Sequence, residues 1–259
     1  MSGLTRIMTV PNQVRGLHYN ATPAAELASV GDCAPCPAAF SGGKYHNCQC
    51  NALKWRRPNA SFARGFSATA WYTGKALRET VSSLRNVPLG LVRSSWGGTP
   101  IQRWSSADAV KACPQGKKST TSDLFNGMFH PFIGLEWSAA AWYQGESNTA
   151  ADGNFVGPKY YSCALPALIS DWRGKLNLPS LPFFVVELSA YCNERDTGTY
   201  KTWCDLPAKI KTVDYHLPSM RLAQSAAEKL ANVFIVSASE YRISRSPARI
   251  WTADDARFG

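Results

Sequence analysis

Three observations predict an α/β fold with a mostly parallel sheet. Five short apolar runs read as strands, amphipathic stretches lie between them, and glycine-containing polar loops follow the strand ends. Strands that alternate with helices are joined by right-handed crossovers, and these cover a parallel sheet on both faces.

The strand candidates are "RIMTV" near Ile7, "PLGLVRSSW" from Pro88 to Trp96, "SAAAWYQ" ending at Gln144, "FFVVELS" from Phe183 and "NVFIVSAS" from Asn232. "SATAWYTGKALRETVSSL" sets Ala70, Trp71, Gly74, Leu77, Val81 and Leu84 on one face at helical spacing. "PIQRWSSADAVKA" follows the paired glycines as a further helix. "PKYYSCALPALISDWRGKL" repeats the helical pattern with Tyr161, Leu165, Leu168, Ile169 and Trp172, and Pro166 should kink it or mark its true start. Ser219–Leu230 reads as a helix opening on a Ser cap. Gly31–Arg57 fits no element and reads as an irregular, Cys-rich insertion, and Lys111–Asp123 as a loop.

A chain of 259 residues with 45% hydrophobic and 18% charged residues suits one domain spanning 1–259. The net charge of +10 is scattered in ones and twos, with "WRR" and "GKK" as tight pairs, so no nucleic-acid partner is expected. No apolar run reaches about 18 residues, which leaves no membrane span, and the amino terminus lacks the pattern of a secretory signal. Eight cysteines are many for a reducing compartment. Cys33, Cys36, Cys48 and Cys50, with His46 nearby, leave three readings open: disulfides, free thiols or a zinc knuckle. Asn20 and Asn59 open glycosylation sequons.

Two strand ends carry the candidate chemistry. In open parallel sheets, ligands bind beyond the carboxyl ends of strands. At "SSWGGTPI", Gly97 and Gly98 can bring free backbone N–H groups against a ligand oxygen. At "WYQGESN", Gln144 offers an amide donor beside Glu146. Together with "FSATAWYTGKAL", "LFNGMFHP", "YYSCALPALISDWR" and "LPFFVVELS", these motifs resemble the sialate O-acetylesterase family of SGNH-type carbohydrate esterases over roughly Leu53 to Val236.

That resemblance implies a three-layer, flavodoxin-like domain that removes acetyl groups from O-acetylated sugars or sialic acid without metal or cofactor, in a secreted or lysosomal protein. It implies oxyanion donors at Gly97 or Gly98 and at Gln144, and a substrate-binding set of Trp96, Thr99, Glu146 and His130, with Glu146 bracing its loop. Family members carry a Ser nucleophile in a Gly-Gln-Ser-Asn motif on the first strand and a His base in Asp-x-x-His near the carboxyl end. Neither motif occurs in these residues, and the tail 239–259 has no His. The chain is therefore expected to lack the family's first strand and to be catalytically inactive. The competing reading is a non-catalytic glycan-binding module, with Trp96, Trp104 and Trp142 available to stack on sugar.

Overall fold

A computed structural model describes residues 4–10, 55–59, 65–113, 122–149, 157–189 and 217–237. All five expected strands are present and every ladder between them is parallel. Strand β1 (Thr5–Thr9) pairs with β2 (Leu89–Arg93), Thr5 opposite Leu89. Strand β3 (Ala140–Trp142) pairs with β4 (Phe183–Glu187), which pairs with β5 (Val233–Ser237). No ladder joins β2 to β3.

Helix α1 (Ala68–Thr80) begins where the sequence places it: the Ser67 hydroxyl caps it by accepting from Ala70 N–H at 3.2 Å. Its apolar face is covered less than its periodicity suggests. Gly74 is buried, with the Leu89 and Leu91 side chains lying where a Cβ would stand, whereas Leu77 and Val81 remain exposed. Leu89 and Leu91 point toward α1, while Met8, Val10 and Val92 join the main core on the opposite face. Helices thus lie on both sides of the sheet. Over β3–β5, however, Phe234 and Val236 stay exposed on the side opposite the main core, so the described residues do not fully cover that half.

The stretch after the paired glycines is two helices rather than one. Helix α2 (Ile101–Trp104) stops at Ser105, and α3 (Ala107–Ala112) restarts on Ser106, whose hydroxyl accepts from Ala109 N–H. A Ser-Ser step offers the backbone a competing hydrogen-bond acceptor, and here it serves as a fresh cap. Helix α4 (Pro158–Leu176) runs through Pro166 and starts at Pro158, so Pro166 does not mark its start. Proline suits the first turn because no helical acceptor awaits its missing N–H. The helix ends on Asn177 in the left-handed region (φ 56°). Leu165, Leu168 and Ile169 are fully buried and contribute about 1.5–3 kcal/mol each. Trp172 stacks on Phe129 at 3.9 Å and meets Trp142 edge-on at 5.6 Å.

Helix α5 (Leu217–Ser225) includes two residues before Ser219, which is therefore not its cap, and its end tightens into a 3₁₀ turn at Ala226–Lys229. Arg56 forms an antiparallel bridge with Ile7 on the outer edge of β1, so the end of the expected irregular segment contributes a strand contact. Cys113, closing α3, is disulfide-bonded to Cys163 on α4. The possible zinc knuckle at Cys33–Cys50 and the tail 239–259 lie outside the described residues.

Candidate active site

The carboxyl ends of β2 and β3 meet. Beyond β2 the chain turns through Trp96–Pro100, with Gly98 at φ +74°, where a side chain would be strained. Thr99 Oγ1 donates to Trp96 O at 2.6 Å and accepts from Trp104 Nε1 at 2.9 Å. This pins the turn. Gly97 and Gly98 are exposed, the space beside them is open, and their N–H groups have no partner among the described residues.

Gln144 reaches this turn from the end of β3. Its Nε2 donates to Thr99 O at 3.1 Å and to Asn148 Oδ1 at 2.8 Å. The Tyr161 hydroxyl lies 3.0 Å from Gln144 Oε1 and 2.9 Å from Gln144 O, and accepts from Trp142 Nε1. An amide whose oxygen is held by a phenol has its nitrogen direction set as well. Complete burial pushes the Tyr161 pKa up; the Trp142 bond opposes that shift and the Glu146 charge adds to it. The phenol therefore stays protonated and serves as a fixed donor.

Two residues that the sequence did not single out as site components organise this arrangement. Asn148 is fully buried: its Oδ1 accepts from Ile101 N–H (2.9 Å) and from Gln144, and its Nδ2 donates to Gln102 Oε1 at 3.0 Å. Gln224 of α5, also fully buried, donates to Gln144 O and Val186 O and accepts from Leu188 N–H. Gly145, at φ +150°, also lies close to Leu188, whose side chain would stand 3.0 Å from an added Cβ.

The remaining expected residues are placed as follows. Thr99 is 5% exposed with its hydroxyl engaged on both sides, which makes it a brace for the glycine turn. Trp96 is half-buried, with the Arg103 guanidinium 5.6 Å from its ring centre. Arg103 is itself held bidentately by Asp123 at 2.9 and 2.7 Å. His130 packs edge-on against Phe125, and Met128, two residues earlier, accepts from the Ser94 hydroxyl below the glycine turn. Glu146 opens a 3₁₀ turn, with its carboxylate near its own N–H and that of Gly145. Water reaches its side chain, yet surrounding protein desolvates the carboxylate enough to raise its pKa, the nearby backbone N–H groups pulling the other way. Trp104 and Trp142 are buried, T-shaped to one another in the core, and are not available to stack on a sugar.

Parallel strands flanked by helices, with polar strand tips meeting at their carboxyl ends, define an α/β protein of the SGNH-like fold. Residues 49–250 match the family described as "Carbohydrate esterase, sialic acid-specific acetylesterase", and the chain belongs to that family. Human sialate O-acetylesterase is 33% identical over 168 residues, covering 56% of this chain and 30% of that protein. The rat sialate O-acetylesterase is 28% identical over 251 residues, covering 75% of this chain and 42% of that protein. The chain thus spans less than half the length of these relatives. A carbohydrate acetylesterase from Xanthomonas citri superposes with a TM-score of 0.61 at 22% identity, covering 90% of this chain and 42% of that one. That likeness concerns the fold.

Proposed function

We propose that this chain forms the donor side of a carbohydrate O-acetylesterase site, binding the acetyl ester of a sugar such as sialic acid through Gly97, Gly98 and Gln144. The observation that carries the reading is the bond from Gln144 Nε2 to Thr99 O, one residue beyond the glycine pair. It brings a side-chain donor and two open backbone N–H groups to one mouth. A bound carbonyl oxygen would take the Nε2 hydrogen now directed at Asn148 Oδ1, and Asn148 would keep its bond from Ile101 N–H. One preorganised donor of this kind supports roughly 3–4 kcal/mol of transition-state stabilisation.

Trp96 offers a ring held by Arg103 for the sugar, His130 shapes the wall, and Glu146 fixes the loop that presents Gln144. Hydrolysis also needs an activated nucleophile and a base. Ser94 donates to Met128 O and Ser95 accepts from Arg93, so both hydroxyls are engaged in structural bonds. Neither Gly-Gln-Ser-Asn nor Asp-x-x-His occurs in the sequence, and these two serines are held in structural bonds, so the reading for the described residues is binding without turnover. The Cys113–Cys163 disulfide supports a secretory or lysosomal setting.

Acetate release from O-acetylated sialic acid and from nitrophenyl acetate, measured beside equilibrium binding of the sugar, tests this. The expected result is saturable binding, weakened at least tenfold by Gln144→Ala, with no turnover above background. Turnover that Gln144→Ala abolishes would overturn the non-catalytic part, and binding indifferent to Gln144→Ala would overturn the donor assignment.

A further inference from the structure

The strand tip beside Gln144 on the other side from the glycine turn is that of β4. Leu188 follows β4 directly, and α5 grips its backbone at both ends: Gln224 Oε1 accepts from Leu188 N–H at 3.0 Å, and Arg221 Nε donates to Leu188 O at 2.7 Å. The Leu188 side chain lies against Gly145, and Gln224 Nε2 reaches across to Gln144 O at 3.2 Å. Neighbouring strands of a sheet stand about 4.8 Å apart, so Leu188, with the Arg221 guanidinium on its carbonyl, is one such step from the Gln144–Gly145 turn. One sugar ring spans a step of that size.

Arg221 differs from the other cations at these tips. Arg103 is neutralised by the bidentate grip of Asp123, and Arg93 spends Nε and Nη1 on Ser95 Oγ and Gly65 O. Arg221 uses Nε alone: among the described residues its Nη1 and Nη2 have no hydrogen-bond partner and no carboxylate pairs with it. The acids nearest in the chain to these tips are occupied elsewhere, Glu187 accepting from the Ser237 hydroxyl at 2.6 Å and Glu146 lying near the N–H groups of its own turn. Arg221 is half-buried, so solvent reaches it. A guanidinium anchored at Nε presents its two terminal nitrogens as a planar fork that matches the two oxygens of a carboxylate, and the anchor reduces the side-chain freedom lost on binding.

We propose that Arg221 is a specificity-determining residue of this site: its Nη pair receives the carboxylate of an acidic sugar whose acetyl oxygen lies at Gly97, Gly98 and Gln144. The proposal rests on the donor reading given above and adds a requirement to it, a carboxylate on the same sugar unit as the ester. The glycine N–H groups and the Gln144 amide address only the ester oxygen, so they do not tell an acidic sugar from a neutral one. Arg221 does. A neutral acetylated sugar engages the same donors and leaves the Arg221 fork to water.

The test measures binding of three ligands to the full chain by titration calorimetry: O-acetylated sialic acid, the methyl ester of its carboxylate, and an O-acetylated neutral hexose. The parent chain should bind the free acid at least about tenfold more tightly than either uncharged ligand, the size of a charge-assisted hydrogen-bonded contact. Added salt should weaken the acid alone. Arg221→Gln should lower affinity for the acid by the same factor and leave the other two ligands unchanged, and Arg221→Lys, which keeps the charge without the fork, should fall between. The methyl ester, measured on the parent chain, keeps the test decisive should these variants fold poorly. Equal binding of acid and methyl ester overturns the proposal, as does an Arg221→Gln variant that weakens all three ligands alike, the mark of a purely structural bond to Leu188. Gln144→Ala separates this proposal from the donor reading: it should weaken all three ligands and preserve the preference for the acid. A preference for the acid with binding indifferent to Gln144→Ala would support the Arg221 assignment and overturn the donor assignment, sensitivity to Gln144→Ala without that preference would do the reverse, and absence of binding by all three ligands would overturn both.

Discussion

Replacing Asn148 with alanine tests the structural logic of the site most severely. The side chain is fully buried and makes three hydrogen bonds, to Ile101 N–H, Gln144 Nε2 and Gln102 Oε1, at 2.9, 2.8 and 3.0 Å. Asn148→Ala leaves the Ile101 N–H and the Gln102 carbonyl oxygen without partners, and both residues are buried (0% and 3% exposed). Gln144 is half-buried and can turn its freed N–H to water. Each buried orphan costs about 1–3 kcal/mol, so two cost roughly 2–6 kcal/mol, a large share of a typical stability of about 5–15 kcal/mol. For a domain of this size that corresponds to a fall in Tm of roughly 4–20 °C. The assay is urea denaturation with thermal circular dichroism, using Leu222→Ala as a control because Leu222 is 75% exposed and should change stability by less than about 0.5 kcal/mol. An Asn148→Ala variant as stable as the control would refute the claim that this residue ties the two strand tips together.

Two further expectations follow from the same geometry. Desolvation raises the pKa of Glu146 in the folded chain, so its contribution to stability is fully present below the ordinary Glu pKa of 4.5 and is lost as pH rises through the raised value. Glu146→Gln should therefore melt with the parent chain near pH 4 and above it near pH 7; melting curves that differ equally at both pH values would contradict this sign. The disulfide joins residues 50 apart in sequence, and in the chain-entropy account closing such a loop adds about 4 kcal/mol. Cys113→Ser with Cys163→Ser should lower the urea midpoint by a corresponding amount, whereas an unchanged midpoint would show that the link is not formed.

Much of this architecture could be read directly from the residues. The five strands were legible because each is a short apolar run bounded by Gly, Pro or Asn, and "SSWGGTPI" and "WYQGES" stood out because glycine and amide follow such runs. What was not legible depends on distance in the chain. Asn148 looks like an ordinary turn residue until Ile101 and Gln102, 47 and 46 positions earlier, close on it. Gln224 lies 80 positions from Gln144 and sits in an unremarkable helix. Trp104 and Trp142 invite a sugar-stacking role by type, yet they bury against one another in the core. The split between α2 and α3 was signalled by Ser105-Ser106, a step that two-residue patterns do not distinguish from helix interior.

The central claim is that Gly97, Gly98 and Gln144 address one ligand oxygen, and titrating O-acetylated sialic acid into ¹⁵N-labelled chain examines it directly. The account predicts that the Gly97 and Gly98 amides and the Gln144 side-chain amide move together along one saturation curve, absent with the deacetylated sugar. A Gln144 amide that stays still while the glycines respond, or shifts of equal size with the deacetylated sugar, would contradict it.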